Sequence, residues 1–243
     1  MPPSGSIKCG DFWKGIIKKV LNCLVTPVDR QAVTSWNGYN VPLMSDRLYL
    51  SIWFPSFHEQ EMLTRLVSVL KEFPFSAQRS GIGYLAVHSV SWSEPLLFEQ
   101  TFDYSTDPEK SLALAQEFLH ADNAYELEVL WDLWTPVQEG DLDETWQLTA
   151  EKVKFTAFGS KFEDAVYQQS GHIQVDFGLD APFLYEEIDF TPAVAQRVKA
   201  NVQKLVAFTS AVERNCGISG RVLWSDSEDN LVKKLIERLQ KVQ

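Results

Sequence analysis

The side chains best suited to chemistry lie along one predicted strand, residues 124–134, in which polar and apolar residues alternate. Glu126, Glu128, Asp132 and Trp134 fall on one side of this strand, because successive side chains of a strand point to opposite faces. Neighbours on that side are ~6.8 Å apart, twice the rise of one residue. Carboxylates at this spacing suit the binding of a cation, and they suit acid–base chemistry if the pKa of one of them is raised.

A second alternating stretch, residues 48–54, adds aromatic side chains to the same predicted surface. Tyr49 and Trp53 alternate there with Leu48 and Leu50. If the two stretches are neighbouring strands and helices cover their apolar side, six residues share the uncovered side: Tyr49, Trp53, Glu126, Glu128, Asp132 and Trp134. Two interpretations remain open. The surface is half-solvated or packs on the rest of the chain, or it is an aromatic and acidic recognition surface for a cationic partner.

The elements that would position these residues follow the order β-α-β-β-α-β between residues 47 and 134. Helix starts are predicted at Ser56 and Thr106, each followed three residues later by a glutamate in a capping box. The central hairpin carries further acids, Glu99 and Asp103. This order is typical of the split βαβ arrangement of ferredoxin-like folds. It predicts an antiparallel sheet with helices on one face.

The rest of the chain repeats part of this order, as β-β-β-α-β-α. The predicted elements are strands over residues 146–158, 172–178, 183–190 and 218–224 and helices that begin at Thr191 and Ser225. We interpret this part as a degenerate second copy that extends the sheet, so the fold class is α+β. Three segments follow: an N-terminal extension with an amphipathic helix (1–45), a ferredoxin-like half (46–136) and a second α+β half (145–243).

Charge is distributed unevenly along the chain. The net charge is −11, yet residues 1–47 carry +3, while residues 94–144 hold fourteen acidic residues against Lys110 alone. An acidic body repels phosphate backbones, which argues against nucleic acid as a partner. It favours a basic protein or a cationic ligand. In a second interpretation, the acidic residues only keep the protein soluble.

Cysteine use and hydropathy predict a cytoplasmic protein. Cys9, Cys23 and Cys216 are odd in number and widely spaced, so they form neither a disulfide framework nor a zinc site. No window contains the ~18–20 apolar residues that a membrane-spanning helix needs.

No motif for a phosphate loop, a catalytic nucleophile or a metal site is present, and no cofactor is predicted. We therefore predict a non-catalytic binding or interaction protein that presents an acidic, aromatic sheet face to a cationic or basic partner. The alternative is a small-molecule enzyme or a cofactor binder with its site between the two halves. A haem is one such cofactor, with His172 as its axial ligand, by analogy with doubled ferredoxin-like folds alone.

Overall fold

The alternating stretches of the sequence become strands of one sheet in the computed structural model, which describes residues 46–138, 144–185, 191–226 and 234–235. In these residues the fold is α+β, with seven strands and five α-helices. The strands are β1 (Arg47–Trp53), β2 (Ile82–Ser89), β3 (Leu96–Thr106), β4 (Asn123–Gln138), β5 (Glu144–Phe158), β6 (Ile173–Leu179) and β7 (Gly220–Ser225). The helices are α1 (Glu59–Lys71), α2 (Pro108–Ala113), α3 (Tyr167–Ser170), α4 (Ala181–Leu184) and α5 (Pro192–Asn215).

The strands pair in the order β3-β2-β4-β5-β6-β1-β7, and every pairing is antiparallel. The predicted pairing of the first strand with the strand at 124–134 is wrong, because β2 and β5 occupy both sides of β4. Only residues 139–143 separate β4 from β5, and a short connection favours pairing between consecutive strands. The ferredoxin-like arrangement and the second copy are not confirmed, and the division of the chain into two halves stays a prediction.

One face of the sheet is buried beneath α1 and α5. The apolar side chains that alternate along β1, β4, β5 and β6 form a single core with the apolar sides of these helices. Trp131 is fully buried there, with its ring 5.6 Å from that of Phe73 and 5.3 Å from that of Phe177. The other face carries the residues that alternate with this core, most of them polar, and at one end of it Ala124 and Phe158 pack with Phe162 in a second, smaller cluster.

The start of α1 differs from the prediction. The helix begins at Glu59, and His58 is the N-cap residue with an extended backbone. The carboxylate of Glu61 accepts hydrogen bonds from the Ser56 hydroxyl at 2.6 Å and from the His58 backbone N–H at 3.3 Å. Ser56 thus lies before the helix and stabilises its first turn through Glu61, whereas His58 is the N-cap residue.

Three other predicted boundaries have different outcomes. Asp107, not Thr106, caps α2, because its carboxylate accepts the Glu109 backbone N–H at 2.9 Å. Residues 181–184 are helical where a strand at 183–190 is predicted, and residues 186–190 lie outside the described residues. The predicted helix start at Thr191 is confirmed.

The predicted segment 1–45 and most of the helix predicted after Ser225 lie outside the described residues. Lys234 is described, and its ammonium contacts the carboxylates of Asp46 and Asp180. None of the helices in the described residues is long and apolar enough to cross a membrane.

Candidate binding surface

The face of the sheet opposite α1 and α5, here called the open face, carries two rows of side chains that cross all seven strands. From β3 to β7, the first row is Thr101, Tyr84, Glu128, Lys154, Asp176, Tyr49 and Trp224. The second row is Glu99, Ala86, Glu126, Thr156, Gln174, Ser51 and Val222. The register of the strands thus brings Tyr49, Glu126 and Glu128 of the predicted set onto one surface.

Two lysines from β5 neutralise the carboxylates of β4 on this face. The carboxylate of Glu126 lies 3.1 Å from the ammonium of Lys154, and that of Glu128 lies 3.0 Å from Lys152. Sequence reasoning missed these lysines, although Lys152 and Lys154 alternate along β5. The β4–β5 hairpin sets Lys154 opposite Glu128 and Lys152 opposite Leu130, so each lysine reaches a glutamate diagonally across the strand pair. The centre of the open face is therefore a lattice of alternating charges rather than an acidic patch.

Tyr104 reaches into this lattice from a β-bulge. The pairing of β2 shifts register at Gly83, and Tyr104 has a positive φ of 63°, a conformation that non-glycine residues rarely adopt. Its ring lies on Gly83, where an added Cβ would be 2.0 Å from a ring carbon. Its hydroxyl donates a hydrogen bond to Glu128. The bulge thus fixes the phenol in place over the carboxylate.

Tyr84 and Tyr104 border a shallow depression in the open face. The depression has a volume of about 330 Å³ and is lined by Gly83, Tyr84, Thr101, Phe102, Tyr104, Glu126, Glu128, Lys152 and Lys154. The hydroxyl of Tyr84 donates to Glu99 at 3.0 Å. Burial, followed by the hydrogen bond to a carboxylate, raises the pKa of each tyrosine to about 12. Both phenols are therefore protonated at neutral pH and act as hydrogen-bonding groups rather than as bases.

The far end of the open face is built around an aromatic stack. The rings of Tyr49 and Trp224 are 4.4 Å apart, and the indole N–H of Trp224 donates to the Ser51 hydroxyl at 2.9 Å. Three strand spacings separate Tyr49 from Glu128 in the first row, which is roughly 14 Å at ~4.8 Å per strand. Trp53 lies at the margin of the face, where its indole N–H donates to the Tyr167 carbonyl at 3.2 Å.

Asp132 and Trp134 do not join the predicted set. Pairing between β2 and β4 ends at Val129, so both residues lie on the part of β4 that extends beyond β2. The Asp132 carboxylate accepts the Ala77 backbone N–H at 2.9 Å, and the Trp134 ring lies 3.8 Å beneath the Arg197 guanidinium. Both side chains are occupied by contacts that hold the fold.

The two half-buried histidines lie in aromatic surroundings. Nδ1 of His172 accepts the Phe54 backbone N–H at 3.0 Å, and its ring stacks on Phe57 at 4.7 Å. The ring of His88 lies 4.6 Å from that of Trp92. Burial lowers the pKa of both imidazoles. Within the described residues, no three His, Cys, Asp or Glu side chains are grouped to hold a metal ion.

Comparison of the chain with protein-family models, with curated proteins and with solved structures found no match. The assignment of a function therefore depends on the geometry of the open face and of the strands around it.

Proposed function

We propose that the protein is a non-catalytic binding protein that recognises a basic partner protein through the β3 side of the open face. One observation carries this proposal: exposed carboxylates are concentrated on β3, on α2 and on the segments joined to them. This group, the acidic flank, consists of Glu94, Glu99, Asp103, Asp107 and Glu117, whereas the nearby Glu109 is paired with Lys71 of α1 at 2.7 Å. Lys110 is the only lysine or arginine between residues 94 and 122. A surface of this kind attracts a basic partner and repels an acidic one.

The depression beside the acidic flank has the properties of a preformed recognition site. Tyr84 and Tyr104 offer aromatic area at a low entropic cost, because hydrogen bonds to Glu99 and Glu128 already hold their hydroxyls. Hydrogen bonds from Ser105 hold the pKa of the Asp103 carboxyl below its usual value, so this group stays ionised in weakly acidic solution. These features support binding, because the rings are held in place before a partner arrives and the carboxylate stays charged.

A displayed library of random peptides tests the proposal. We expect selection on the protein to enrich lysine and arginine, and we expect ~0.5 M salt to weaken binding because it screens surface charge. Glu99→Lys should weaken binding about fivefold, equivalent to ~1 kcal/mol. The matched control is Asp226→Lys, which reverses one exposed carboxylate after β7 at the opposite edge of the sheet. Enriched peptides without basic residues, or equal losses from both variants, would contradict the proposal.

A further inference from the structure

We infer that the basic partner binds by adding an extended strand to β3, an inference that rests on the proposed function. β3 ends the sheet, and within the described residues it pairs with β2 alone. It is 11 residues long, and most of its side chains are exposed. An edge of this length presents a row of main-chain N–H and C=O groups that can pair with a strand from another chain.

In the part of the chain that the structure describes, two main-chain groups of β3 are bonded to nearby side chains, and no second strand pairs with this edge. The Gln100 side chain donates to the Thr101 carbonyl at 3.0 Å, and the Asp103 carboxylate accepts the Ser105 backbone N–H at 3.0 Å. Both are exposed contacts within one or two residues of the chain, which an incoming strand can replace.

The charge of β3 determines which kind of strand can be added to its edge. A second copy of β3 would bring Glu99 and Asp103 close to the same acidic residues, and like charges across a strand pair are destabilising. Lysine or arginine at alternate positions of an incoming strand would instead face Glu99, because Glu99 and Thr101 follow the period of a strand. Asp103 lies in the bulge directly beyond them and adds an exposed carboxylate. The occupant is therefore a basic extended segment rather than a second copy of this chain.

Exposed apolar side chains mark one end of the same edge. Val90, Trp92, Leu96 and Leu97 surround the β2–β3 connection, with exposed fractions from 37% to 56%. Trp92 is held in place, because its backbone N–H donates to Glu163 at 2.8 Å and its ring lies 5.1 Å from that of Phe162. A fixed, exposed tryptophan is typical of binding anchors. The segment should thus carry apolar residues at the end that lies beside Leu96 and Leu97.

The probe is a synthetic peptide of about eight residues, short enough to lie along the 11 residues of β3, that alternates valine and lysine and ends in two leucines. Its matched control has the same sequence and charge but N-methyl groups on the alternate backbone nitrogens that would pair with β3. We expect N-methylation to weaken binding at least about tenfold, because two or more hydrogen bonds are lost. The unmodified peptide should also slow hydrogen exchange of β3 amides.

Two protein variants separate this inference from the proposed function. Glu99→Lys should weaken both peptides, whereas Thr101→Pro, at an edge position where proline is tolerated, should weaken only the unmodified one. Equal affinity for both peptides together with a loss in Glu99→Lys would overturn strand addition and leave the proposed function standing. Binding that neither Glu99→Lys nor salt affects would overturn both. Protection of β3 amides before peptide is added would show that the chain covers its own edge, which also overturns the inference.

Discussion

The two parts of β4 differ in the groups that form hydrogen bonds with their main chain. This difference determines whether their side chains are left on the open face or are used in packing. From Ala124 to Val129, β4 is paired with β2 on one side and β5 on the other. Beyond Val129 it is paired with β5 alone. The first part leaves Glu126 and Glu128 on the open face, whereas in the second part the side chains and the edge are occupied by packing.

In the second part, helix α5 takes the place of a neighbouring strand. The side chain of Asn201 accepts the Trp134 backbone N–H at 2.9 Å and donates to the Trp134 carbonyl at 2.9 Å. The hydroxyl of Tyr185 donates to the same carbonyl at 2.8 Å, and Lys204 donates to the carbonyl of Asp132. A partly buried backbone edge is stabilised when side chains pair with its N–H and C=O groups, because burial limits their access to water.

The largest effect should come from removing the amide that closes this edge. Asn201 is buried and makes three hydrogen bonds, including one to the Pro182 carbonyl at 2.7 Å. We expect Asn201→Ala to lower the free energy of unfolding by about 3 kcal/mol, at ~1 kcal/mol for each bond, measured by urea denaturation. Asn215→Ala, at an exposed position bonded to Glu72, should change it by less than about 0.5 kcal/mol. Similar values for both variants would remove the distinction between the two parts of β4.

A smaller effect is expected where the Trp134 ring meets α5. Arg197→Ala removes the guanidinium that lies 3.8 Å from the ring and should lower the free energy of unfolding by ~1 kcal/mol. Arg214→Ala, an exposed position in the last turn of the same helix, is the matched control and should have no more than about half that effect. An unchanged urea midpoint in Arg197→Ala would show that the Trp134 contact contributes nothing to the fold.

Substitutions in the first part of β4 should leave stability nearly unchanged and alter ionisation instead. Glu128→Gln breaks an ion pair with the exposed Lys152, so the free energy of unfolding should change by less than about 0.5 kcal/mol. The pKa of Tyr104 should fall from about 12, because its hydroxyl loses an anionic acceptor, and it should stay above 10.0 because burial remains. Ultraviolet absorbance of the phenolate during alkaline titration measures this. Glu126→Gln is the control, and an equal shift in that variant would contradict the assigned hydrogen bond.

The smallest effect should be a pH dependence that arises beside the first part of β4. Burial lowers the pKa of His88, with Glu126 opposing and Lys154 reinforcing the shift, and burial lowers that of His172 as well. The unfolded chain then binds protons that the folded chain does not, so the free energy of unfolding should fall as pH drops below the ordinary value of 6.5. Urea denaturation across this range should show a shallower slope for His88→Gln than for the parent protein. If the dependence of the free energy of unfolding on pH is unchanged in His88→Gln, then a group other than His88 causes it.

Much of the sheet can be predicted from the sequence, because alternation reports which side chains share a face. The strands at β1, β2, β3 and β4, the α+β class and the start of α5 at Thr191 all follow from such local patterns. The order of the strands cannot be predicted in this way, because alternation shows which face a side chain lies on but not which strands pair. The sequence predicts Asp132 and Trp134 on the same face as Glu126 and Glu128, because no local pattern shows that the pairing of β2 with β4 ends at Val129.

The remaining features of the binding surface depend on local geometry that residue types do not reveal. Tyr104 lies over Glu128 only because a bulge and a positive φ turn its side chain across β2. Lys152 and Lys154 could have been found from their spacing once β5 was expected to follow β4 as a hairpin. The acidic flank can be predicted from the sequence, because the acidic residues between 94 and 122 lie close together along the chain with a single basic residue, Lys110, among them.

The contact between Gly83 and Tyr104 also constrains how this chain can vary over evolutionary time. Any larger residue at position 83 has to displace the phenol, so a substitution there fits the fold only if position 104 changes to a smaller residue in the same lineage. Substitutions at positions 83 and 104 should therefore be correlated, and we expect a relative without the glycine to lack the tyrosine as well.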